Sequence, residues 1–358
     1  MIKASGRVSR RGAPEARCFW FVLLLVAAEA GCRRRARPAE MVPSGDASAP
    51  PLQAAANPVD AVGEAMPAVK PRAVPITIAA AGDIAGRSNR HAETAALLHV
   101  IHGTTPLSAI LALGDLQYPR GDLHDFLAYY DPHWGNPILR TLTRPVPGNH
   151  EYDQGRTTAT GYFDYFNGIG QATGSAGERH KGYYSFDIGA WHFIALNTSD
   201  GCRRIPCTPE SAMHTWLLAD LAANRRRCVL AYYHHPRFQI GRHGSNPAIA
   251  PLWNVLTDAG VDVVLSGHDH NFQQLARLNK AGRVDANGIR SFVVGTGGAY
   301  PYPTFAEARE ARAVESRFAY RVGVLVMTLF EDAYEWRFVA TGADPRGEVL
   351  AQGRDVCR

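Results

Sequence analysis

The chain has 358 residues, 46% of them apolar and 20% charged, which is room for one large domain or two small ones of ordinary globular composition. No apolar stretch reaches about 18 residues, which argues against a conventional membrane-spanning helix. The formal charge of +5 is unevenly spread: residues 1–37 hold nine Lys/Arg against two Asp/Glu, so the rest sums to −2 and offers no broad positive field for nucleic acid.

The N-terminus reads as an export signal over residues 1–32. Lys3, Arg7, Arg10, Arg11 and Arg17 precede an 11-residue apolar run, Cys18 to Ala28, and Ala28-Glu29-Ala30 offers small residues for cleavage. Gly31-Cys32 follows, in the pattern of a bacterial lipid-attachment site, although Glu29 stands where such sites usually carry Leu. The expectation is an exported protein, periplasmic or at the cell surface, with a membrane tether through a lipidated Cys32. Residues 33–74 are rich in Ala and Pro and form a tether without a core. A folded domain then spans 75–358. Four cysteines remain in it, Cys202, Cys207, Cys228 and Cys357, an even number suited to disulfides outside the cytoplasm. Of three pairings, Cys202–Cys207 is favoured because the intervening residues fold back as a small loop, leaving Cys228–Cys357 to tie down the C-terminus. Neither pair has the spacing of a zinc site.

In chain order, 76–81 reads as a strand, 93–101 as a helix, 108–113 as a strand, 123–134 as an irregular helix and 144–147 as a short strand. Residues 183–188 and 191–197 pair as a hairpin across Gly189-Ala190. A helix over 210–224, a strand over 228–233, a helix over 248–259 and a strand over 261–265 follow. Strands at 272–278, 289–294, 323–330 and 334–340 complete the pattern. Alternation first and a strand-rich half afterwards predict an α/β (α+β) architecture. It is a four-layer αββα sandwich of two packed mixed sheets flanked by helices. Strands with continuous apolar runs belong in the middle.

Five of these strands end in donor-rich blocks: Gly82-Asp83, Gly114-Asp115-Leu116-Gln117-Tyr118, Gly148-Asn149-His150-Glu151, His234-His235-Pro236 and Gly267-His268-Asp269-His270. Side chains at the ends of parallel strands share one crevice, and seven oxygen and nitrogen donors there can hold two cations. His268 and His270 alternate, so an extended segment would point both to one side.

Taken in order, the blocks resemble the calcineurin-like metallophosphoesterase superfamily, from residue 76 to at least 298. One detail resembles the purple acid phosphatases. Many superfamily members read Asp-x-His in the first block, whereas this chain has Ala85, which has no donor; its second block reads Gly-Asp-x-x-Tyr instead. The resemblance implies a dinuclear Fe(III)-M(II) centre, M being Zn, Fe or Mn. It implies Asp83, Tyr118 and His270 on the ferric ion, Asn149, His234 and His268 on the divalent ion, and Asp115 bridging. A phenol ionises near pH 10 in water, so a trivalent cation is a fitting partner for Tyr118, and imidazole with amide suits a divalent one. The implied reaction is hydrolysis of phosphomonoesters by a metal-bound hydroxide on a small phosphorylated substrate. His150 and His243 are the implied catalytic histidines, the latter nine residues after His234. Glu151 is expected to orient His150 or a metal ligand. One alternative is a phosphodiesterase or nucleotidase with two divalent metals on the same scaffold; another is a non-catalytic surface protein that binds phosphate or a partner.

Bland readings cover the rest. His235 is a neighbour of the pocket, and the eight histidines outside the motifs are surface or packed residues. Gly295-Thr296-Gly297-Gly298 lacks the Lys and spacing of a P-loop and reads as a tight turn beside the crevice. Arg225-Arg226-Arg227 reads as a helix C-terminus meeting solvent.

Overall fold

The computed structural model describes residues 74–152, 158–305 and 307–358, so the export signal, Cys32 and nearly all of the tether lie outside the described residues. Two sheets carry the fold. The first has six strands in the order β15-β14-β13-β1-β2-β3: β1 (Ile76–Ala81), β2 (Leu107–Leu113), β3 (Thr143–Val146), β13 (Gly323–Leu329), β14 (Ala333–Ala340) and β15 (Glu348–Val356). The second has seven, in the order β12-β10-β11-β9-β8-β7-β6: β6 (Tyr184–Ile188), β7 (Trp191–Ala195), β8 (Cys228–Tyr232), β9 (Val263–Ser266), β10 (Phe272–Leu278), β11 (Ile289–Val294) and β12 (Val314–Phe318). A two-stranded ribbon, β4 (Thr173–Gly174) with β5 (Gly177–Glu178), stands apart from both.

Each sheet is parallel at its heart. β1, β2 and β3 run parallel in the first, and β7, β8, β9 and β11 in the second, with antiparallel strands outside them. Such strands must be apolar on both faces, and β8 is an example. Cys228, Leu230 and Tyr232 join the core shared with the first sheet, while Val229, Ala231 and Tyr233 join a second core with Leu217, Leu252 and Trp253 from helices Ala212–Ala223 and Ala250–Asp258. Aromatic rings close the core between the sheets: Phe272 lies 4.2 Å from Phe338 and Phe292 5.5 Å from Trp336, centroid to centroid.

The expected helices appear with shifted ends: His91–Thr104, Ala212–Ala223 capped by the Ser211 side chain, and Ala250–Asp258. The irregular helix is one short turn, Leu123–Asp125, running into a wider one, Phe126–Tyr130. Strands β12 and β15 and helices Pro137–Leu142 and Thr160–Asn167 are additions to the sequence reading. Both favoured disulfides are present, Cys202–Cys207 and Cys228–Cys357, each with Cα atoms 5.4 Å apart. No helix among the described residues is long and apolar enough to cross a membrane. At the end of helix Ala212–Ala223, Arg225 donates to the carbonyls of Ala222, Ala223 and Asn224, the C-terminal role expected of that basic run.

Candidate metal centre

The five donor-rich blocks sit just past the C-terminal ends of β1, β2, β3, β8 and β9, so two sheets contribute to one crevice. Three donors have left-handed backbones: Asp83 (φ 60°), Asp115 (φ 50°) and His268 (φ 72°). Such conformations cost non-glycine residues on the order of 1–3 kcal/mol and persist where surrounding structure over-determines them. Here the first two loops are laced together. Asp83 N–H donates to Gly114 O, Ile84 N–H to Asp115 O and Ala85 N–H to Leu116 O, at 2.9–3.0 Å. The tyrosine is set by the residue that lacks a donor side chain, since Ala85 O accepts the N–H of Tyr118 at 2.8 Å. Glycines open the space: a Cβ on Gly148 would overlap Asp115 Oδ1, and one on Gly267 would come within 2.7 Å of Asp83 Oδ2.

The seven side chains form two groups that share Asp115. In the first, the Tyr118 hydroxyl lies 3.0 Å from Asp83 Oδ1, 3.0 Å from His270 Nε2 and 3.3 Å from Asp115 Oδ2. In the second, His234 Nε2 lies 3.2 Å from Asp115 Oδ2, 3.2 Å from Asn149 Oδ1 and 3.3 Å from His268 Nδ1. Neighbouring ligands of one six-coordinate ion, each at about 2.1 Å, stand about 3 Å apart. The spacing therefore fits donors to two ions, with Asp115 common to both groups. The chemistry also divides: two carboxylates, a phenol and one imidazole on one side; two imidazoles, an amide and the shared carboxylate on the other.

The electrostatics of the bare crevice call for positive charge. Burial pulls His234 down, but Asp115 beside it outweighs that and pushes the imidazole up to about 9, so a proton takes a cation's place. Burial, Asp83 and Asp115 push the Tyr118 phenol well above 10. Burial and the neighbouring His234 and His243 hold His268 down to about 3, a neutral imidazole suited to ligation.

The ring nitrogens that face away are tied to backbone. His234 Nδ1 is 2.8 Å from Leu113 O, and His270 Nδ1 is 2.6 Å from Tyr300 O. A carbonyl accepts, so each Nδ1 carries the proton and leaves Nε2 for the crevice. His150 Nδ1 is 2.7 Å from Pro119 O, and its Nε2 lies 3.8 Å from Asp115 Oδ2. His243 lies against His268 with centroids 4.3 Å apart and planes tilted by 33°, and its Nδ1 is 3.2 Å from the buried Asp269 Oδ1. His235 lies beside them, its ring 4.4 Å from that of His268.

One reading of the sequence is narrowed and one changes. Of the two roles expected for Glu151, the structure shows the one toward a proposed metal ligand. Glu151 Oε1 accepts from Leu116 and Gln117 N–H and its Oε2 from Asp115 and Gly148 N–H, at 2.7–3.1 Å, so it orients Asp115 through the backbone. His268 and His270 are not on an extended segment. The left-handed turn at His268 sends its ring to His234, while His270 faces Tyr118 and Asp83. Three contributors have no role assigned from the sequence. Asp269 holds His243; Tyr302 stacks on His270 at 4.1 Å with planes 9° apart; Thr198 Oγ1 accepts the N–H of His235 at 3.1 Å. The glycine turn behaves as read: Gly297 N–H donates to Gly82 O and Ala299 N–H to Asp83 O.

Comparison with known proteins gives the family. Residues 76–272, more than half of the chain, match the model for the calcineurin-like phosphoesterase. Purple acid phosphatase 18 of Arabidopsis thaliana is 26% identical over 239 residues, covering 64% of this chain and 51% of the relative. Human tartrate-resistant acid phosphatase type 5 is 39% identical over 71 residues, 20% of this chain and 22% of the relative. The chain thus spans about half the length of the plant relative. Among solved structures, purple acid phosphatase PPD1 from yellow lupin (Lupinus luteus) seeds superposes with a TM-score of 0.61 at 15% identity, covering 79% of this chain and 54% of that one. GAP50, the anchor in the inner membrane complex of Plasmodium, superposes at 0.55 and 15% identity, covering 79% and 89%. By its family model and its relatives, the chain belongs to the calcineurin-like phosphoesterase family and is similar, within it, to the purple acid phosphatases.

Proposed function

We propose that this protein hydrolyses phosphomonoesters at a dinuclear centre with Fe(III) in the Tyr118 group and a divalent ion, Zn, Fe or Mn, in the Asn149 group. The observation that carries this reading is the Tyr118 hydroxyl, buried between Asp83, Asp115 and His270. When bound, the ions supply positive charge opposite the phosphoryl oxygens and acidified water. The chain's own residues do the rest. Asp115 spaces the two groups. Pro119 O holds the proton of His150 on Nδ1, so Nε2 is the atom that meets substrate. Asp269 anchors His243 by accepting its backbone N–H on Oδ2, and the ring Nδ1 lies 3.2 Å from Oδ1. His243 is the group that gives a proton to the departing alkoxide. Backbone hydrogen bonds and buried side chains hold these groups fixed, so little reorganisation is needed during reaction.

Two disulfides and the basic-then-apolar N-terminus support export, with the first 32 residues as signal, 33–74 as tether and 75–358 as the hydrolase domain. The test uses protein purified with its metals. Iron content, a violet charge-transfer band and p-nitrophenyl phosphate turnover are expected together. A colourless, iron-free preparation with full activity overturns the ferric assignment in favour of two divalent ions.

A further inference from the structure

A cavity of about 520 Å³ opens from the divalent side of the crevice, where Asn149 and His268 form its inner wall. That is more room than one phosphoryl group needs and lies in the usual range for a whole small ligand. The loop after β7 also lines it, with Arg203 and Arg204. The loop is closed covalently by Cys202–Cys207 and enters through three left-handed residues, Asp200 (φ 48°), Gly201 (φ 60°) and Cys202 (φ 69°). A loop so constrained fixes where its backbone presents these side chains, Arg204 part-buried and Arg203 exposed.

The two guanidiniums are poorly matched within the protein. Asp200 is the carboxylate beside both, at 3.8 Å from Arg203 and 3.7 Å from Arg204, beyond hydrogen-bond reach. Arg204 Nε is buried and has no hydrogen-bond partner. Two cations against one distant carboxylate leave a net positive wall. A phosphate can accept two parallel N–H bonds from such a fork. Among its described lining residues the aromatic other than histidine is Tyr152, which is 2% exposed and takes an N–H from Asn197 on its hydroxyl.

We propose that this cavity binds a second phosphate on the leaving group, held by Arg203 and Arg204, so that the preferred substrates are small bisphosphorylated molecules rather than simple monoesters. The proposal rests on the phosphomonoester reading of the metal centre and adds the substrate class to it.

The test compares kcat/KM for fructose 1,6-bisphosphate, fructose 6-phosphate and p-nitrophenyl phosphate in the metal-loaded protein. The expected result is at least a tenfold preference for the bisphosphate over fructose 6-phosphate. In the doubly substituted variant, Arg203→Ala with Arg204→Ala, that preference falls by at least tenfold, and a matching pair of Lys substitutions restores part of it. Raising salt lowers the preference in the unaltered protein, as expected of a charge-based pocket. An unaltered protein that turns over p-nitrophenyl phosphate without preferring the bisphosphate overturns the second-phosphate pocket alone. So does a double variant whose preference is unchanged. A metal-loaded protein inert toward all three esters overturns the phosphatase reading, and this proposal with it.

Discussion

Replacing Tyr118 by Phe removes one oxygen and keeps the ring, which lies 4.3 Å from that of His150. Without ions, the hydroxyl donates one hydrogen bond, to Asp83 Oδ1 at 3.0 Å. A buried bond of that kind contributes about 1.5–3 kcal/mol, so metal-free Tyr118→Phe should unfold at lower denaturant by that amount. The larger effect concerns protons. At pH 7 the bare crevice holds a proton on Tyr118, pushed well above 10, and one on His234, raised to about 9. Ligation removes both, so loading should release about two protons, and more as far as His270, raised by Asp83 against the effect of burial, is also charged. The Phe variant should release about one fewer. The assay is calorimetric titration of metal into chelator-treated protein in buffers of different ionisation enthalpy, with the visible spectrum recorded afterwards. A Phe variant with the same proton count and the same visible band would refute the assignment of Tyr118 as a ligand.

The remaining predictions concern neighbouring groups. Asp115→Asn should lower the content of both metals together with activity, because it removes the charge shared by the two groups; elemental analysis after dialysis checks this. His243→Ala should cut turnover by about 10²-fold or more while both ions stay bound, and a variant that loses a metal instead would make His243 a ligand. Divalent-ion affinity should rise with pH up to about 9, the value of His234, and flatten above it. Because that imidazole is raised, its proton competes with the ion throughout the window below, by up to tenfold per pH unit; binding isotherms at several pH values measure the slope. Glu151→Ala should destabilise the metal-free protein by about 3 kcal/mol or more, because four buried N–H groups lose their acceptor, measurable by denaturant unfolding.

The crevice was legible in the sequence because its donors are rare residue types set just after apolar runs, and strand ends bring such positions together. Tyr118 stood out because Ala85 has no donor. What surrounds the donors was less visible. Glu151 acts on backbone N–H groups, which carry no residue identity, so nothing in the chain pointed to its partners. Strand β15 buries only Ala351 and strand β12 alternates intermediate and exposed positions; edge strands paired on one side leave a weak apolar pattern. Helix Thr160–Asn167 is short and dense in aromatics, with Tyr162, Phe163, Tyr165 and Phe166 all buried, so its narrow polar stripe of Thr160, Asp164 and Asn167 gave little periodic signal. The pairing of His268 with His234 depends on a backbone turn that alternation along the chain could not reveal.

The Cys228–Cys357 disulfide joins the start of β8 to the residue after β15, and so bolts one sheet to the other. The opposite end of β8 delivers His234 to the crevice. The sandwich is therefore bound like a book, sewn along its spine by sulfur and clasped at the fore-edge by whatever ions Asp115 and its neighbours hold. Chelation unfastens the clasp and leaves the stitching, and hydrogen bonds at the mouth, Gly82 N–H to Val294 O and His234 Nδ1 to Leu113 O, still keep the pages together. A protein built this way can lose its metals, and take them up again, without first having to refold.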